Sequence, residues 1–229
     1  HIIREVLTSK VWGLGIEEAR IGDSFQSYAV LAFNEGYGLG ITLDRGSVEV
    51  NDFIQQICKY IDGFVYPDNN GVYQILLARD NYDSDDLTEF DESDYLEIKS
   101  FTRGTAFQMT NQIALTYTDP TTWTKKTIYA HDLAAINKQG SVISTSINRE
   151  WVLDVELARK MAAYELRKAT SQLAKCTIIG NRSFSNLNPG DVFKLSNADL
   201  GLVNIIFRVL KTDRGEYENN KVELQVIED

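Results

Sequence analysis

Two histidines, His1 and His131, are the whole imidazole complement of the 229 residues. A histidine-built zinc site, or a Ser–His–Asp or Cys–His nucleophile pair, would have to rest on one of them. His1 begins the chain. His131 precedes Asp132 at a helix start and reads as a surface or capping-region residue rather than a catalytic base. Cys58 and Cys176 have apolar neighbours and no CxxC spacing. They read as buried reduced thiols, which implies synthesis in a reducing, intracellular compartment. Carboxylates are plentiful: Asp80, Asp83, Asp85, Asp86, Glu89, Asp91, Glu92 and Asp94 form a run with no Lys or Arg. Asp83 and Asp85 alternate as a calcium loop would, but Leu87 follows and the run holds no Gly, so a solvated linker is the expectation.

The remaining candidates read the same way. Gly36, Gly38 and Gly40 invite a dinucleotide fingerprint, yet the order is helix, glycines, strand, the reverse of what that motif requires. No G-x-x-x-x-G-K-[ST] occurs, which excludes a P-loop nucleotidase. Arg159, Lys160, Arg167 and Lys168 form the one basic grouping, interleaved with Glu156 and Glu165, and read as a solvated helix face rather than an anion site. A glycosidase needs a buried acid with a raised pKa, and the acids concentrate where the chain has little core to offer. Trp12, Trp123, Trp151 and 11 Tyr could form a sugar platform, but most aromatics fall on apolar stripes and read as core. The sequence therefore predicts no catalytic, cofactor-binding or metal-ligating residue, and no enzyme.

These side chains must be carried by elements that the periodicity predicts. A short helix holds Ile2, Ile3, Val6 and Leu7 and ends at Trp12-Gly13-Leu14-Gly15. A second, capped by Asp23 or Ser24, runs to Gly36; a third carries Val50, Phe53, Ile54, Ile57, Cys58 and Ile61. Gly38 to Leu43 reads as a short strand, and Phe64–Tyr66 with Val72–Leu77 as a hairpin around Pro67–Gly71. After the acidic run the period changes to two, with strands around 95–101, 112–117, 127–129 and 142–147. The clearest helix is about 153–170, with Leu157, Ala158, Met161, Ala162, Tyr164, Leu166 and Ala169 as its apolar stripe and Glu156–Lys160 as a solvent-facing pair. Strands at 177–179, 192–195, 205–210 and 222–227 finish the chain, with turns at 188–191, 197–201, 214–215 and 219–220. In the turn Asn188-Pro189-Gly190-Asp191, Pro189 fits the second position and Gly190 the third, where a type II turn needs positive φ.

Composition agrees with a folded protein: 43% hydrophobic, 24% charged and 10% aromatic. Net charge is −10, and the acidic run holds eight of those surplus charges; the remainder has 25 acids against 23 bases. A strongly basic face for stable nucleic-acid binding is therefore not expected. No stretch approaches the ~18 apolar residues of a membrane span. A chain that begins at His1 rather than Met reads as a piece of a longer polypeptide.

The segments then resemble a known family in their order. The matching pieces are His1-Ile-Ile-Arg-Glu-Val-Leu-Thr8 with Trp12-Gly-Leu-Gly15; Ser24-Phe25 with its helix to Gly36; Gly38-Leu39; Val50-Asn-Asp-Phe-Ile-Gln-Gln-Ile57 with Ile61-Asp-Gly63; and Gly71-Val-Tyr73. Later come Asn111-Gln-Ile-Ala-Leu-Thr-Tyr-Thr-Asp119, Asp132-Leu-Ala-Ala-Ile136, Ala158-Arg159 with the following helix, and Leu187-Asn-Pro-Gly-Asp-Val-Phe-Lys-Leu195. In this order the chain resembles the tail-tip or baseplate hub proteins of tailed bacteriophages.

The resemblance implies an α+β fold. Residues 1–79 would form a helix-rich α+β part and 80–94 an acidic linker. Residues 95–229 would form a mainly antiparallel β-barrel-like domain with a helical insertion at about 131–170. It implies a structural component of a phage or prophage tail tip, forming part of a ring around the tail channel, trimeric in the full-length protein. Its partners would be tail tube, distal tail and tape-measure proteins, with no cofactor. Its place would be the virion, after synthesis in the host cytoplasm. The alternative is a tail-associated glycan-binding or cell-wall-degrading module, which a cleft with two buried carboxylates and aromatic residues would favour.

Overall fold

The computed structural model describes residues 1–41, 49–104, 109–215 and 220–229. The fold is mixed α+β, as expected, and the chain divides into two compact units that are each discontinuous in sequence. The first comprises 1–28, 53–103 and 173–229; the second comprises 29–52 and 104–172.

In the first unit, helix α1 (Ile2–Thr8) buries Ile3, Val6 and Leu7. The chain beyond it folds back onto the helix: Leu14 N–H bonds the Val6 carbonyl at 2.9 Å and Ile16 N–H the Leu7 carbonyl at 2.8 Å. Of helix α2 (Ser24–Asn34) this unit holds the first residues, with Phe25 buried, and of α3 (Val50–Ile61) it holds Phe53 onward, with Phe53, Ile54, Ile57 and Tyr60 buried at the spacing of one helical face. Strands β1 (Gly63–Pro67) and β2 (Tyr73–Leu77) pair antiparallel from Gly63↔Leu77 to Pro67↔Tyr73. Asp68 locks their loop by accepting from Asn70 N–H at 2.8 Å and Val72 N–H at 3.0 Å, an Asx geometry.

The main sheet of this unit has six strands: β3 (Glu89–Phe90), β4 (Tyr95–Arg103), β8 (Ala174–Gly180), β9 (Val192–Asn197), β10 (Leu202–Asp213) and β11 (Val222–Glu228). Their order is β3-β9-β10-β11-β8-β4, antiparallel except for β3 beside β9. The alternating apolar residues Cys176, Ile178, Phe193, Leu195, Phe207, Val209, Val222, Leu224 and Val226 meet on one face in a single core, with Phe184. Phe90 and Tyr95, Ile98 and Phe101 pack on that same core from opposite edges of the sheet, which therefore curls into a half-barrel. Tyr95 Oη, reached by Asn197 Nδ2 at 2.6 Å, ties β4 to the far side of the curl. Burying this core supplies the bulk of the driving force, at about 25 cal/mol per Å² of apolar surface.

In the second unit, β5 (Gln112–Asp119) is the centre of a three-stranded sheet, antiparallel to β6 (Thr124–His131) and parallel to β7 (Ser144–Asn148). Helix α4 (Leu133–Gln139) starts at Asp132, whose carboxylate accepts from Ala135 N–H at 3.0 Å, and ends at Gly140. Helix α5 (Val155–Thr170) starts at Asp154, whose carboxylate accepts from Glu156 N–H at 2.8 Å, and packs on β5 and β6.

The structure departs from the sequence reading at named places. Gly38–Ile41 carry no strand, and Thr42 and Leu43 lie outside the described residues; Gly40 N–H bonds the Trp151 carbonyl at 2.9 Å instead of entering a ladder. One-turn 3₁₀ helices at Glu18–Arg20, Ser84–Asp86 and Arg182–Asn186 were not signalled by any apolar period. Asn219 of the 219–220 turn lies outside the described residues. Glu156 pairs with Arg159 at 2.6 Å rather than with Lys160. Tyr164 sits at the margin of the α5 stripe, and its ring reaches solvent.

Candidate functional site

The side chains that could do chemistry are dispersed. His131 ends β6 on the surface, its Nδ1 3.2 Å from Gln112 Nε2 and its ring stacked on Tyr129 with centroids 6.2 Å apart. Cys58 is half-buried and Cys176 buried; burial pushes both thiols up to about 12, far from the thiolate that nucleophilic chemistry requires. Among the described residues no three His, Cys, Asp or Glu side chains gather as a metal site would need.

The acidic run is engaged with backbone N–H groups, near and distant in sequence, instead. Asp83 accepts from Asp85 N–H at 3.0 Å, Asp91 from Ser93 N–H and Oγ, and Glu92 from Ala198 N–H at 2.6 Å. Glu89 forms an ion pair with Lys194 at 2.8 Å. Gly36 closes α2, with Tyr37 N–H on the Ala32 carbonyl at 2.9 Å.

Two of the tryptophans correct the expectation of core packing. Trp123 is 74% exposed and Trp12 is also exposed. Trp123 stands at φ 52° in the β5–β6 turn.

Sequence reasoning missed a buried polar cluster in the first unit. Arg208 lies in β10 between Phe207 and Val209, which face the core, so it occupies the opposite face; it is nevertheless only 5% exposed. Its Nε and Nη2 grip Asp229 at 2.6 and 2.7 Å, a bidentate pair. Its Nη1 bonds the Gly190 carbonyl at 3.0 Å and Nη2 the Arg79 carbonyl at 3.2 Å. Tyr82 donates to Asp229 at 2.7 Å and lays its ring 5.8 Å from the guanidinium. Burial, then the bond to Asp229, pushes the Tyr82 phenol up to about 12. Burial also raises the Asp229 carboxyl, but Arg208 and Tyr82 outweigh it and the net direction is down. Asp191 goes up because burial outweighs its bonds to Asn188 and the Arg208 charge. The signal was available: Arg208 is the single charge in Ile205-Ile206-Phe207-Arg208-Val209-Leu210. This arrangement is satisfied and closed, so it ties the 79–82 segment, the 188–191 turn and the end of β11 together rather than acting on a substrate.

Asn111 does the same in the second unit. It is fully buried, receives Ile143 N–H on Oδ1 at 2.7 Å, and donates Nδ2 to the Ser141 carbonyl at 2.8 Å and to Gln139. The start of β5, the end of α4 and the entry to β7 are thereby held in one register.

The surface carries the remaining distinctive features. Edge strand β6 presents Lys125, Thr127, Tyr129 and His131 on one side, with Tyr129 60% exposed. The outer side of α5 presents Glu156, Arg159, Lys160, Ala163, Tyr164, Arg167 and Lys168. Lys168 Nζ stands 5.1 Å and Arg167 Cζ 5.9 Å from the centre of the Tyr164 ring.

Two solved structures share this build. A chain of the "virion of native gene transfer agent (GTA) particle" superposes with a TM-score of 0.63 at 14% identity, covering 98% of this chain and 53% of that one. The tail protein from Neisseria meningitidis MC58 superposes with a TM-score of 0.54 at 12% identity, covering 84% of this chain and 59% of that one. At these identities the likeness is one of fold, and the chain spans little more than half the length of either protein. None of the curated proteins matches the sequence. The family model Phage-tail_3, described as "Putative phage tail protein", matches residues 49–211, more than two thirds of the chain. The chain belongs to this phage tail protein family.

Proposed function

We propose that the chain is a structural segment of a phage or prophage tail-tip or baseplate hub, forming part of a ring around the tail channel. The observation that carries this reading is the family match over 49–211. The fold likeness over 98% of the chain to a chain of a gene transfer agent virion is in accord with it. The dispersal of His131, Cys58 and Cys176 and the closed Arg208–Asp229 cluster support a scaffold role without turnover. On this reading the protein assembles as a homo-oligomer, a trimer in the full-length protein. Its neighbours are tail tube, distal tail and tape-measure proteins, and its place is the tail tip of a virion made in the host cytoplasm.

Electron microscopy of the full-length protein tests it: rings about as wide as a tail tube are expected. Particles that are monomeric or form open filaments at every concentration would refute the ring. Turnover of cell-wall glycan or peptide, abolished by replacing one specific Asp or Glu, would refute the scaffold role.

A further inference from the structure

We propose that the outer face of α5, centred on Lys160, Tyr164, Arg167 and Lys168, docks the acidic 80–94 segment of a second copy of this chain. The inference rests on the ring reading above and names the surfaces that would form it.

At 100° per residue, positions 160, 164, 167 and 168 fall on one quadrant of the helix, over about 12 Å of its length. They are exposed. Glu156, an acid of α5 on this outer side, pairs with Arg159 at 2.6 Å. Tyr164, with the Lys168 and Arg167 cations around its ring, supplies a flat, partly apolar centre of the kind that anchors interfaces.

The acidic segment is the complementary surface. Seven of its acids, Asp80, Asp83, Asp85, Asp86, Glu89, Asp91 and Glu92, are exposed, and Lys194 neutralises one, Glu89. The 3₁₀ turn at Ser84–Asp86 and the bonds of Asp83, Asp91 and Glu92 to backbone N–H groups give it a fixed shape, so little ordering entropy opposes docking.

Charge complementarity between two surfaces of one chain argues for a second copy as the occupant. A two-fold contact of either surface with itself would put like charges together. A head-to-tail contact puts opposite charges together, and head-to-tail contacts are the ones that close into rings. Exposed charge pairs contribute little each and are screened by salt, so the contact sets register and partner choice and weakens as salt rises.

Sedimentation of the full chain against concentration and salt provides the test, with circular dichroism and thermal unfolding as controls for folding. Lys160→Glu/Arg167→Glu/Lys168→Glu should weaken self-association about 10- to 100-fold, and so should Asp85→Lys/Asp86→Lys/Asp91→Lys. A chain carrying both sets should associate with itself again but not with the unaltered chain. Association of the unaltered chain that neither set disturbs would overturn this contact and leave the ring reading standing. An unaltered chain that stays monomeric up to its solubility limit would overturn both. If the α5 set instead abolishes binding to a fluorescent DNA duplex and leaves association intact, the face serves nucleic acid and the proposal is wrong. If the variants shift the thermal midpoint but not the concentration dependence, the contact lies within one copy and the proposal also fails.

Discussion

Gly190→Ala probes how the 188–191 turn is seated. The turn closes with Asp191 N–H on the Asn188 carbonyl at 3.1 Å, and Gly190 takes the third position at φ 97°, as the sequence predicts. Gly190 N–H bonds the Val209 carbonyl at 2.7 Å, and Val209 N–H bonds the Asp191 carbonyl at 2.9 Å, so the turn is stitched to β10. A Cβ on Gly190 would lie 2.5 Å from Leu76 Cδ2 and 3.1 Å from Phe64 Cδ2, on the β1–β2 hairpin. Two costs therefore add. Positive φ costs an L-residue about 1–2 kcal/mol, and forcing a methyl into a filled site costs about 1–3 kcal/mol. Reduced freedom of the unfolded chain returns about 0.4–1 kcal/mol. The expected loss is about 2–4 kcal/mol, or a fall of roughly 5–15 °C in the thermal midpoint for a chain of this size. Gly36→Ala is the internal control: its φ is 81°, but a Cβ there meets nothing within 4 Å. It should cost about 1 kcal/mol or less, so the difference between the two variants isolates the contact with Leu76 and Phe64. Thermal unfolding followed by circular dichroism measures both. Equal shifts for the two variants would mean that the turn is not seated on the hairpin and that this account of its packing is wrong.

Arg208→Ala should destabilise the fold by about 3–5 kcal/mol in denaturant titration, because it leaves Asp229 buried without its partner. Asp229 also gives an acid dependence: its carboxyl is held low in the fold, so its contribution is complete above the ordinary carboxylate pKa near 4 and fades as pH falls through its lower folded value. Asp119, held at about 2 by its bonds to Lys126 and Thr121 N–H, adds to the same window, while Asp191, raised by burial, works against it. Asp229→Asn should therefore flatten the loss of thermal midpoint between about pH 4 and 2; an unchanged pH profile would contradict the direction assigned to Asp229. Cys58 and Cys176 should resist Ellman's reagent at pH 8 in the native protein and react promptly in denaturant, since both thiols stand near 12; fast native labelling would contradict their burial. Phe90, stacked on Phe184 at 4.5 Å and edge-on to Phe193 at 5.4 Å, pins the acidic segment to the core. Phe90→Ala should cost about 2–3 kcal/mol and open residues 80–94 to limited proteolysis; an unchanged digestion pattern would mean that the segment is held by other contacts.

Local patterning by itself determined the elements. The i, i+3, i+4 apolar residues of α3 and α5, the alternation in β5, and Pro189-Gly190 in their turn are written in short stretches, because rotation per residue and backbone sterics act over a few positions. What required tertiary structure was pairing between distant segments. The two-residue strand Glu89–Phe90 exists because Lys194 and Leu195 lie alongside it, and no window of the sequence contains both. Arg208 looks like a misplaced charge in an apolar strand until Arg79, Gly190 and Asp229 converge on it from three segments. Trp123 reads as core by hydrophobicity, yet it stands exposed in the β5–β6 turn. In each case residue type fixed what the side chain needs, and only the convergence of remote backbone decided whether that need was met.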